Sequence, residues 1–291
     1  MPATTSQLRG KILFTVFNEH HSKYSLYIAN IDGSDQRLLY EQTRQPEFRG
    51  DGVIVANGDS AGWISLVVMN ADGSNRHPIT NHTSDKQASW SPDGMKVVHS
   101  SQQAGFIRAG HDEPDWNIYI QEDASRQDSP VTAFKIGGQP VIGRYPTWLP
   151  DGRIAWNGCE TWAGRPSACG LFAGWADGTG VVQLTTAGND LAVDGHGNEI
   201  VFMCDQRDGN WEIYKANNVG QGITRLTNDP GIDGLPTWSS DGKHIAFLST
   251  RDGQWAMWVM NADGSNQRKL FDLPGPMGPD WPEERISWWA P

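Results

Sequence analysis

Short runs of alternating apolar and polar residues recur along the whole chain, and most of them end at an Asp-Gly turn. A period of two residues is typical of a β-strand with one buried face. The glycine after the aspartate supplies the positive φ angle that a tight turn needs. The clearest run reads LYIANIDGS at 26–34, with close copies at 66–74, 171–179 and 257–265 and weaker copies at 118–125 and 213–220. The pattern therefore predicts six copies of one strand and its turn.

A second repeated phrase lies between these copies. It places a tryptophan or phenylalanine just before an Asp-Gly turn, and it reads PTWLPDGRIAWNG at 146–158. Related phrases stand at 46–58, 88–100, 191–204 and 236–249, and short outer segments follow at 76–80, 181–185 and 223–227. The copy at 191–204 has Asp194-Gly-His-Gly where the others have the turn. Each phrase predicts two strands joined by a tight hairpin, with its aromatic residue packed between neighbouring sheets.

One unit therefore holds four antiparallel strands, which we call A, B, C and D in chain order. Such a unit is a blade of a β-propeller, and it cannot bury both faces unless other blades stack against it. The sequence predicts an all-β chain that forms a single six-bladed β-propeller over residues 10–291. Residues 1–9 are expected to be a disordered or linker segment.

The two ends of the repeat region indicate how the ring closes. The chain begins with a strand B at 11–17, and it ends with PDWPEERISWW at 279–289, which matches a strand A running towards strand B. We therefore expect the C-terminal strand to join the N-terminal blade. Both ILFT and ISWW resemble strand B, so the sequence leaves open which of them pairs there.

Together the two phrases resemble the repeat of the TolB-like propeller family, which reads roughly P-x-W-S-P-D-G-x-x-I-A-F, then I-Y-x-M-N-x-D-G-S, then L-T. The resemblance extends from Gly10 to Trp289. It implies the six-bladed fold. It also implies a protein-interaction or sensor module that is periplasmic or extracellular, and an excised domain of a larger envelope protein would show the same repeats.

Charge and hydropathy exclude some classes of partner. The 291-residue chain has a formal net charge of −11, and its lysines and arginines are scattered. Nucleic-acid binding needs a basic surface that neutralises phosphates, so no nucleic-acid partner is expected. No apolar run reaches the roughly 18 residues that cross a bilayer, so we expect no direct membrane insertion. We expect a monomer.

The loops of the predicted ring differ between its two faces. The A–B and C–D turns are nearly uniform, whereas the B–C and D–A loops vary from blade to blade, and variable loops on a rigid scaffold commonly carry recognition. We therefore expect a non-catalytic module that binds a protein, a peptide or a glycan on the B–C and D–A face. The candidate ligand-binding residues there are Arg108, His111, Asp112, Asp115, Trp116, Arg144, Tyr145, Trp162, Asp205, Asp208, Trp211, Asp233 and Trp255.

Tryptophans end four of the B–C loops, at Trp63, Trp116, Trp211 and Trp255. Each indole either covers the edge of its own hairpin or belongs to an aromatic rim for a sugar or a peptide. The sequence leaves both interpretations open.

Two kinds of chemistry remain as alternatives on this face. The longest B–C loop, 102–115, together with Asp205 and Asp208, offers oxygen ligands to Ca²⁺, although the spacing matches no calcium-binding loop. The alternative function is a carbohydrate- or peptide-processing hydrolase or lyase at the channel mouth, with His111, Arg144, Tyr145 and Asp233 as candidates. No nucleophile elbow or phosphate-binding loop occurs in the sequence, so no residue is assigned as catalytic.

The three cysteines fall into two classes. Cys159 and Cys169 stand at the two ends of one B–C loop, where a hairpin brings their Cβ atoms close enough to bridge. We predict a disulfide between them, which is typical of an oxidising compartment. Cys204 lies in an apolar strand, and we expect a buried free thiol.

Overall fold

The computed structural model describes residues 8–60, 63–103, 115–127, 129–159 and 169–291. Within these ranges, six four-stranded antiparallel sheets form the blades of a propeller, and the inner strands of successive blades contact one another around a central channel. The predicted all-β, six-bladed architecture is confirmed. The strands are numbered β1 to β26 in chain order.

The first three blades are built as follows, from strand A to strand D. Blade 1 consists of β26 (Ser287–Trp289), β1 (Lys11–Asn18), β2 (Lys23–Asn30) and β3 (Arg37–Tyr40). Blade 2 consists of β4 (Thr43–Phe48), β5 (Ile54–Ser60), β6 (Trp63–Met69) and β7 (His77–Pro78). Blade 3 consists of β8 (Lys86–Trp90), β9 (Val97–Ser101), β10 (Asn117–Gln121) and β11 (Val131–Ala133).

The other three blades follow the same order. Blade 4 consists of β14 (Gly143–Trp148), β15 (Arg153–Cys159), β16 (Cys169–Trp175) and β17 (Val182–Gln183). Blade 5 consists of β18 (Leu191–His196), β19 (Glu199–Cys204), β20 (Glu212–Asn217) and β21 (Thr224–Arg225). Blade 6 consists of β22 (Asp233–Trp238), β23 (His244–Ser249), β24 (Ala256–Asn261) and β25 (Arg268–Asp272).

Two smaller elements lie in the connections between blades. A short hairpin of β12 (Lys135–Ile136) and β13 (Gln139–Pro140) joins blade 3 to blade 4. A 3₁₀ helix, Trp281–Glu283, lies in the connection from blade 6 back to blade 1. No helix in the described ranges is both long enough and apolar enough to cross a membrane.

Ring closure is non-covalent and uses both ends of the repeat region. Strand β26 pairs antiparallel with β1, with Leu13 opposite Ser287 and Lys11 opposite Trp289. ISWW is therefore the inner strand A of blade 1, and ILFT is its strand B. Arg9, which the sequence assigns to the N-terminal linker, already contacts the ring, because its carbonyl accepts a 2.9 Å hydrogen bond from the Trp288 indole. Residues 1–7 lie outside the described residues.

In four blades, the polar residue just before the aromatic position of strand A accepts a hydrogen bond from the backbone of the next blade. Glu47 Oε1 accepts a 2.8 Å hydrogen bond from the backbone N–H of Trp90. The equivalent acceptor and donor pairs are Ser287 with Phe48, Ser89 with Trp148, and Asp194 with Trp238. These bonds satisfy inner-strand N–H groups that face the channel and have no ladder partner.

Asp194 corrects one sequence-based assignment. The sequence places it in the A–B turn of blade 5, but the structure places it inside β18, three residues before the start of a tight turn at 197–198. Its carboxylate occupies the position of Ser89 in blade 3 and accepts hydrogen bonds at 2.8 Å from Thr237 Oγ1 and from the Trp238 N–H. The apparent departure from the turn motif is therefore an inter-blade contact.

Candidate functional site

The B–C and D–A loops meet at the end of the channel where every strand A begins, and we call this end the mouth. Four residues before the aromatic position of strand A, three consecutive blades place a cation there: Arg44, Lys86 and Arg144. We call these three residues the cation cluster. The equivalent positions of blades 5, 6 and 1 hold Leu191, Gly234 and Glu284. The mouth is thus cationic on one side within a chain whose net charge is −11.

The carboxylate of Glu283 lies among the cation cluster. Its Oε2 is 2.9 Å from Lys86 Nζ, and its Oε1 is 3.7 Å from an Nη atom of Arg144. Burial alone would raise the pKa of Glu283, but Lys86, Arg44 and Arg144 together hold this pKa below its ordinary value. Burial lowers the pKa of Lys86, and Glu283 partly opposes that shift. These charges are partly desolvated, so they attract one another more strongly than they would in bulk water.

Two cations of the cluster lie over the ring of Trp116. Its ring centre lies 4.2 Å from Lys86 Nζ and 5.3 Å from the guanidinium carbon of Arg144. Both distances suit cation–π attraction. Trp116 therefore contacts two charged residues of the mouth. Burial, with Glu283 nearby, raises the pKa of the neighbouring Tyr145 to about 12, so its hydroxyl stays protonated.

Strand A bulges at the mouth and turns its side chains towards the next blade. Gln45, Gln87 and Tyr145 have φ angles of 54°, 59° and 55°, and the pairing register shifts at each of these positions. Gln45 Oε1 accepts a 3.0 Å hydrogen bond from the Gln87 N–H, and Gln87 Oε1 accepts one of 3.1 Å from the Tyr145 N–H. The side chains that line the mouth are therefore fixed relative to one another across three blades.

Glu284 anchors the closing segment to two blades. Its side chain is fully buried, and it forms an ion pair with Arg44. It also accepts hydrogen bonds from Thr15 Oγ1 at 2.9 Å and from the Gln45 N–H at 3.2 Å. Burial raises the pKa of Glu284, while Arg44 and the two hydrogen bonds oppose that shift. Glu284 therefore fixes the position of the segment that also carries Glu283.

The opposite side of the mouth is aromatic. Trp281 lies with its ring centre 5.3 Å from that of Trp211 and 5.1 Å from that of Trp255, and all three belong to one apolar cluster. Trp281 itself is buried, whereas Trp211 and Trp255 are half-buried. A Cβ atom on Gly234 would lie 2.6 Å from the Trp281 ring, so glycine there makes room for the indole. Trp211 and Trp255 therefore pack on the buried Trp281, and the aromatic rim for a ligand stays a prediction.

Below the mouth the channel narrows to a neck. A small cavity of about 40 Å³ there is lined by residues that include Glu47, Asp194 and Arg285. Arg285 crosses the channel, where it pairs with Glu47 and donates to Ala88 O and to Thr147 Oγ1, both at 2.9 Å. Arg285 therefore joins blades 2, 3 and 4 across the channel below the mouth.

The structure brings together only part of the predicted set of ligand-binding residues. Trp116, Arg144 and Tyr145 converge on the cationic side, and Trp211 and Trp255 converge on the aromatic side. Arg108, His111, Asp112 and Trp162 lie outside the described residues. Asp115 is described and buried at the end of the long loop of blade 3. The side chain of Trp63 is not described.

Three predicted aspartates do not face the mouth as free ligands. Asp233 is buried and lies 2.6 Å from an Nη atom of Arg251. Asp205 accepts a 3.0 Å hydrogen bond from Asn189, and Asp208 lies 3.3 Å from Arg225. Asp205 and Asp208 belong to blade 5, so blade 4 separates them from the long loop of blade 3. Among the described residues, no group of three or more His, Cys, Asp or Glu side chains could hold a metal ion.

The residues that the sequence missed are Arg44, Lys86, Glu283 and Trp281. The signal was present in the repeat itself. Aligning the six copies of strand A on their aromatic position puts Arg44, Lys86 and Arg144 in one column, where scattered cations become a cluster. Glu283 and Trp281 belong to the unique connection from blade 6 to blade 1, which has no counterpart among the repeats.

The two bridging cysteines stand directly opposite each other in the β15–β16 pair, and a disulfide joins them. It closes the B–C loop of blade 4, beside the start of β14 and therefore beside Arg144. Cys204 is buried and free, and burial raises its pKa to about 12.

We expect non-reducing peptide mapping to recover Cys159 linked to Cys169 and to find Cys204 unlabelled unless the protein is denatured. Reduction should lower the free energy of unfolding by about 2–3 kcal/mol, because the bridge closes a short loop. Full alkylation of both Cys159 and Cys169 in the native, unreduced protein would contradict the bridge.

Comparison with known proteins confirms the resemblance to TolB-like propellers. A family model described as "TolB beta propeller domain" matches residues 146–275. A Tol-Pal system protein TolB of Geobacter sulfurreducens is 35% identical over 77 residues, which are 26% of this chain and 18% of that protein. A second Tol-Pal system protein TolB, from Francisella tularensis, is 26% identical over 200 residues, which are 63% of this chain and 40% of that protein. The chain thus spans less than half of the length of both curated relatives.

Solved structures show the same fold at low sequence identity. TolB from Acinetobacter baumannii superposes with a TM-score of 0.74 at 16% identity, covering 97% of this chain and 67% of that one. An oligogalacturonate lyase in complex with manganese superposes with a TM-score of 0.53 at 14% identity, covering 90% of this chain and 74% of that one. Because proteins of different kinds, a lyase among them, share this fold, the function must be argued from the mouth itself.

Proposed function

We propose that this chain is a non-catalytic interaction module whose mouth binds a segment of a partner protein. The observation that carries the proposal is the composition of the mouth, with Arg44, Lys86 and Arg144 on one side and Trp211 and Trp255 on the other. Arginine and tryptophan are the residue types most enriched where proteins bind one another. Arg285 crosses the channel below, which supports recognition of a chain segment at the mouth.

The relatives named TolB support a role in protein assembly, since their printed names place them in the Tol-Pal system. By analogy we propose that this chain also works in the bacterial envelope, in the periplasm or outside the cell. The disulfide between Cys159 and Cys169 supports the same location. We further propose that the module acts as a monomer.

A steric block of one face at a time tests the proposed function. Asn228→Cys places a thiol on an exposed D–A loop at the mouth, and Met95→Cys places one on an A–B turn of the opposite face, where Met95 is 61% exposed. Both thiols accept a bulky polyethylene glycol maleimide, whereas the buried Cys204 does not react. Peptides selected from a phage-displayed random library on the unmodified protein serve as the probe.

We expect the selected peptides to lose binding when the Asn228→Cys protein carries the polymer and to keep it when the Met95→Cys protein does. Equal binding by both modified proteins would refute recognition at the mouth. Oligogalacturonides incubated with Mn²⁺ provide the second arm, since an enzyme with the same fold acts on such sugars. Release of unsaturated products from them would favour the lyase alternative and overturn the proposal of a non-catalytic module.

A further inference from the structure

The mouth already contains a bound carboxylate, and it is supplied by the chain itself. Glu283 is 24% exposed and lies against Lys86 and Arg144, which are 20% and 43% exposed. Trp116 lies beneath both cations. Glu284, by contrast, is fully buried and belongs to the closure of the ring. The two adjacent glutamates therefore have different roles. Glu283 lies at the partly exposed Lys86 and Arg144, where a group of a ligand could also bind, whereas Glu284 does not.

The contact of Glu283 with Arg144 is longer than its contact with Lys86. Glu283 makes one close contact, at 2.9 Å with Lys86, while Arg144 stands 3.7 Å away with its guanidinium partly open to solvent. At 3.7 Å, Arg144 does not form with Glu283 the pair of short hydrogen bonds by which arginine binds a carboxylate most strongly. Among the described residues, the three cations of the cluster interact with two carboxylates, those of Glu283 and Glu284.

From this arrangement we propose that the cation cluster binds a carboxylate of the partner segment, an Asp or Glu side chain, and that Glu283 is an intramolecular competitor for the same cations. The proposal rests on the proposed function, because it names the chemical group that the mouth recognises. Arg144 and Lys86 would bind the incoming carboxylate above the Trp116 ring. The acidic surface elsewhere on the chain would repel such a segment and so direct it to the mouth.

Binding of fluorescein-labelled hexaglutamate, measured by fluorescence anisotropy at low ionic strength, tests this inference, with hexaglutamine as the uncharged probe. We expect hexaglutamate to bind more tightly than hexaglutamine and to weaken as salt is added. Glu283→Gln should tighten hexaglutamate binding by about fivefold, and Arg144→Gln should weaken it by about fivefold, which corresponds to one partly exposed ion pair.

Glu199 and Lys215 provide matched controls on the opposite face. They form a similar ion pair, with 2.8 Å between Lys215 Nζ and Glu199 Oε1. Glu199→Gln and Lys215→Gln change the net charge by the same amounts as the two test variants, and we expect neither to alter hexaglutamate binding. Thermal unfolding of all four variants verifies that they remain folded.

Two results would overturn the inference. One is equal tightening by Glu283→Gln and Glu199→Gln, because net charge alone would then explain the effect. The other is equal affinity for hexaglutamine and hexaglutamate. If hexaglutamate binds no more tightly than hexaglutamine while the polymer at Asn228→Cys still blocks the selected peptides, the carboxylate inference is wrong and the protein-binding function stands. If the polymer has no effect either, both fall.

Discussion

Replacing Trp238 with alanine is expected to lower the free energy of unfolding by about 3–5 kcal/mol, since a large buried ring would leave a cavity that the surrounding blades can only partly fill. Trp238 ends the inner strand β22, and it is 4% exposed. It packs in one apolar cluster with Val201 of blade 5 and Phe247 of blade 6. Its loss would therefore weaken the contact between two blades as well as its own sheet.

Trp175→Ala is the matched control for this substitution. Trp175 ends strand β16 of blade 4 and is 43% exposed, so its truncation should cost less than about 1 kcal/mol. Urea denaturation followed by far-ultraviolet circular dichroism measures both variants without depending on the fluorescence of the residue that was removed. A cost below 1 kcal/mol for Trp238→Ala would mean that the strand A aromatic is not a wedge between blades.

The sequence predicts the fold well because the propeller is built from repeats. The aromatic residue before an Asp-Gly turn packs in the same way in each copy. Trp90, Trp148 and Trp238 therefore identify strand A from the local sequence, before the arrangement of the blades is known. The pairing of ISWW with ILFT could not be chosen from the sequence, since both are short apolar runs of similar composition. Only the register, with Leu13 opposite Ser287, distinguishes the inner strand from its neighbour.

The site was predicted less completely than the fold, because the sequence does not show burial or contacts made by a connection distant in the chain. Trp116 and Arg144 were found because they stand on loops and strand ends of the variable face. Asp233 was a reasonable candidate by the same rule, but burial and the contact with Arg251 make it a structural ion pair. Glu283 could not be recognised, since its role depends on a connection that folds back over the mouth from the far end of the chain.

Removing the Glu284 carboxylate is expected to cost about 3 kcal/mol of stability, because the side chain of Glu284 is fully buried and pairs with Arg44. Glu284→Ala would leave the Arg44 charge without its carboxylate partner and Thr15 and the Gln45 N–H without their acceptor. The cost should fall at the lower end of the range for broken buried pairs, since Arg44 is 24% exposed and solvent can screen it. Urea denaturation measures the effect.

Three comparisons separate the ion pair from simple loss of packing. Glu284→Gln keeps an acceptor for Thr15 and Gln45, so it should cost less than Glu284→Ala. Glu283→Gln, one residue away and partly exposed, should change stability by less than about 1 kcal/mol. Arg44→Met should cost less in the Glu284→Ala background than in the wild-type protein, because the unpaired charge is then removed. Additive costs in that cycle would show that Glu284 holds the closing segment through packing alone, and the two ends of the ring would then be joined chiefly by β26 and its tryptophans.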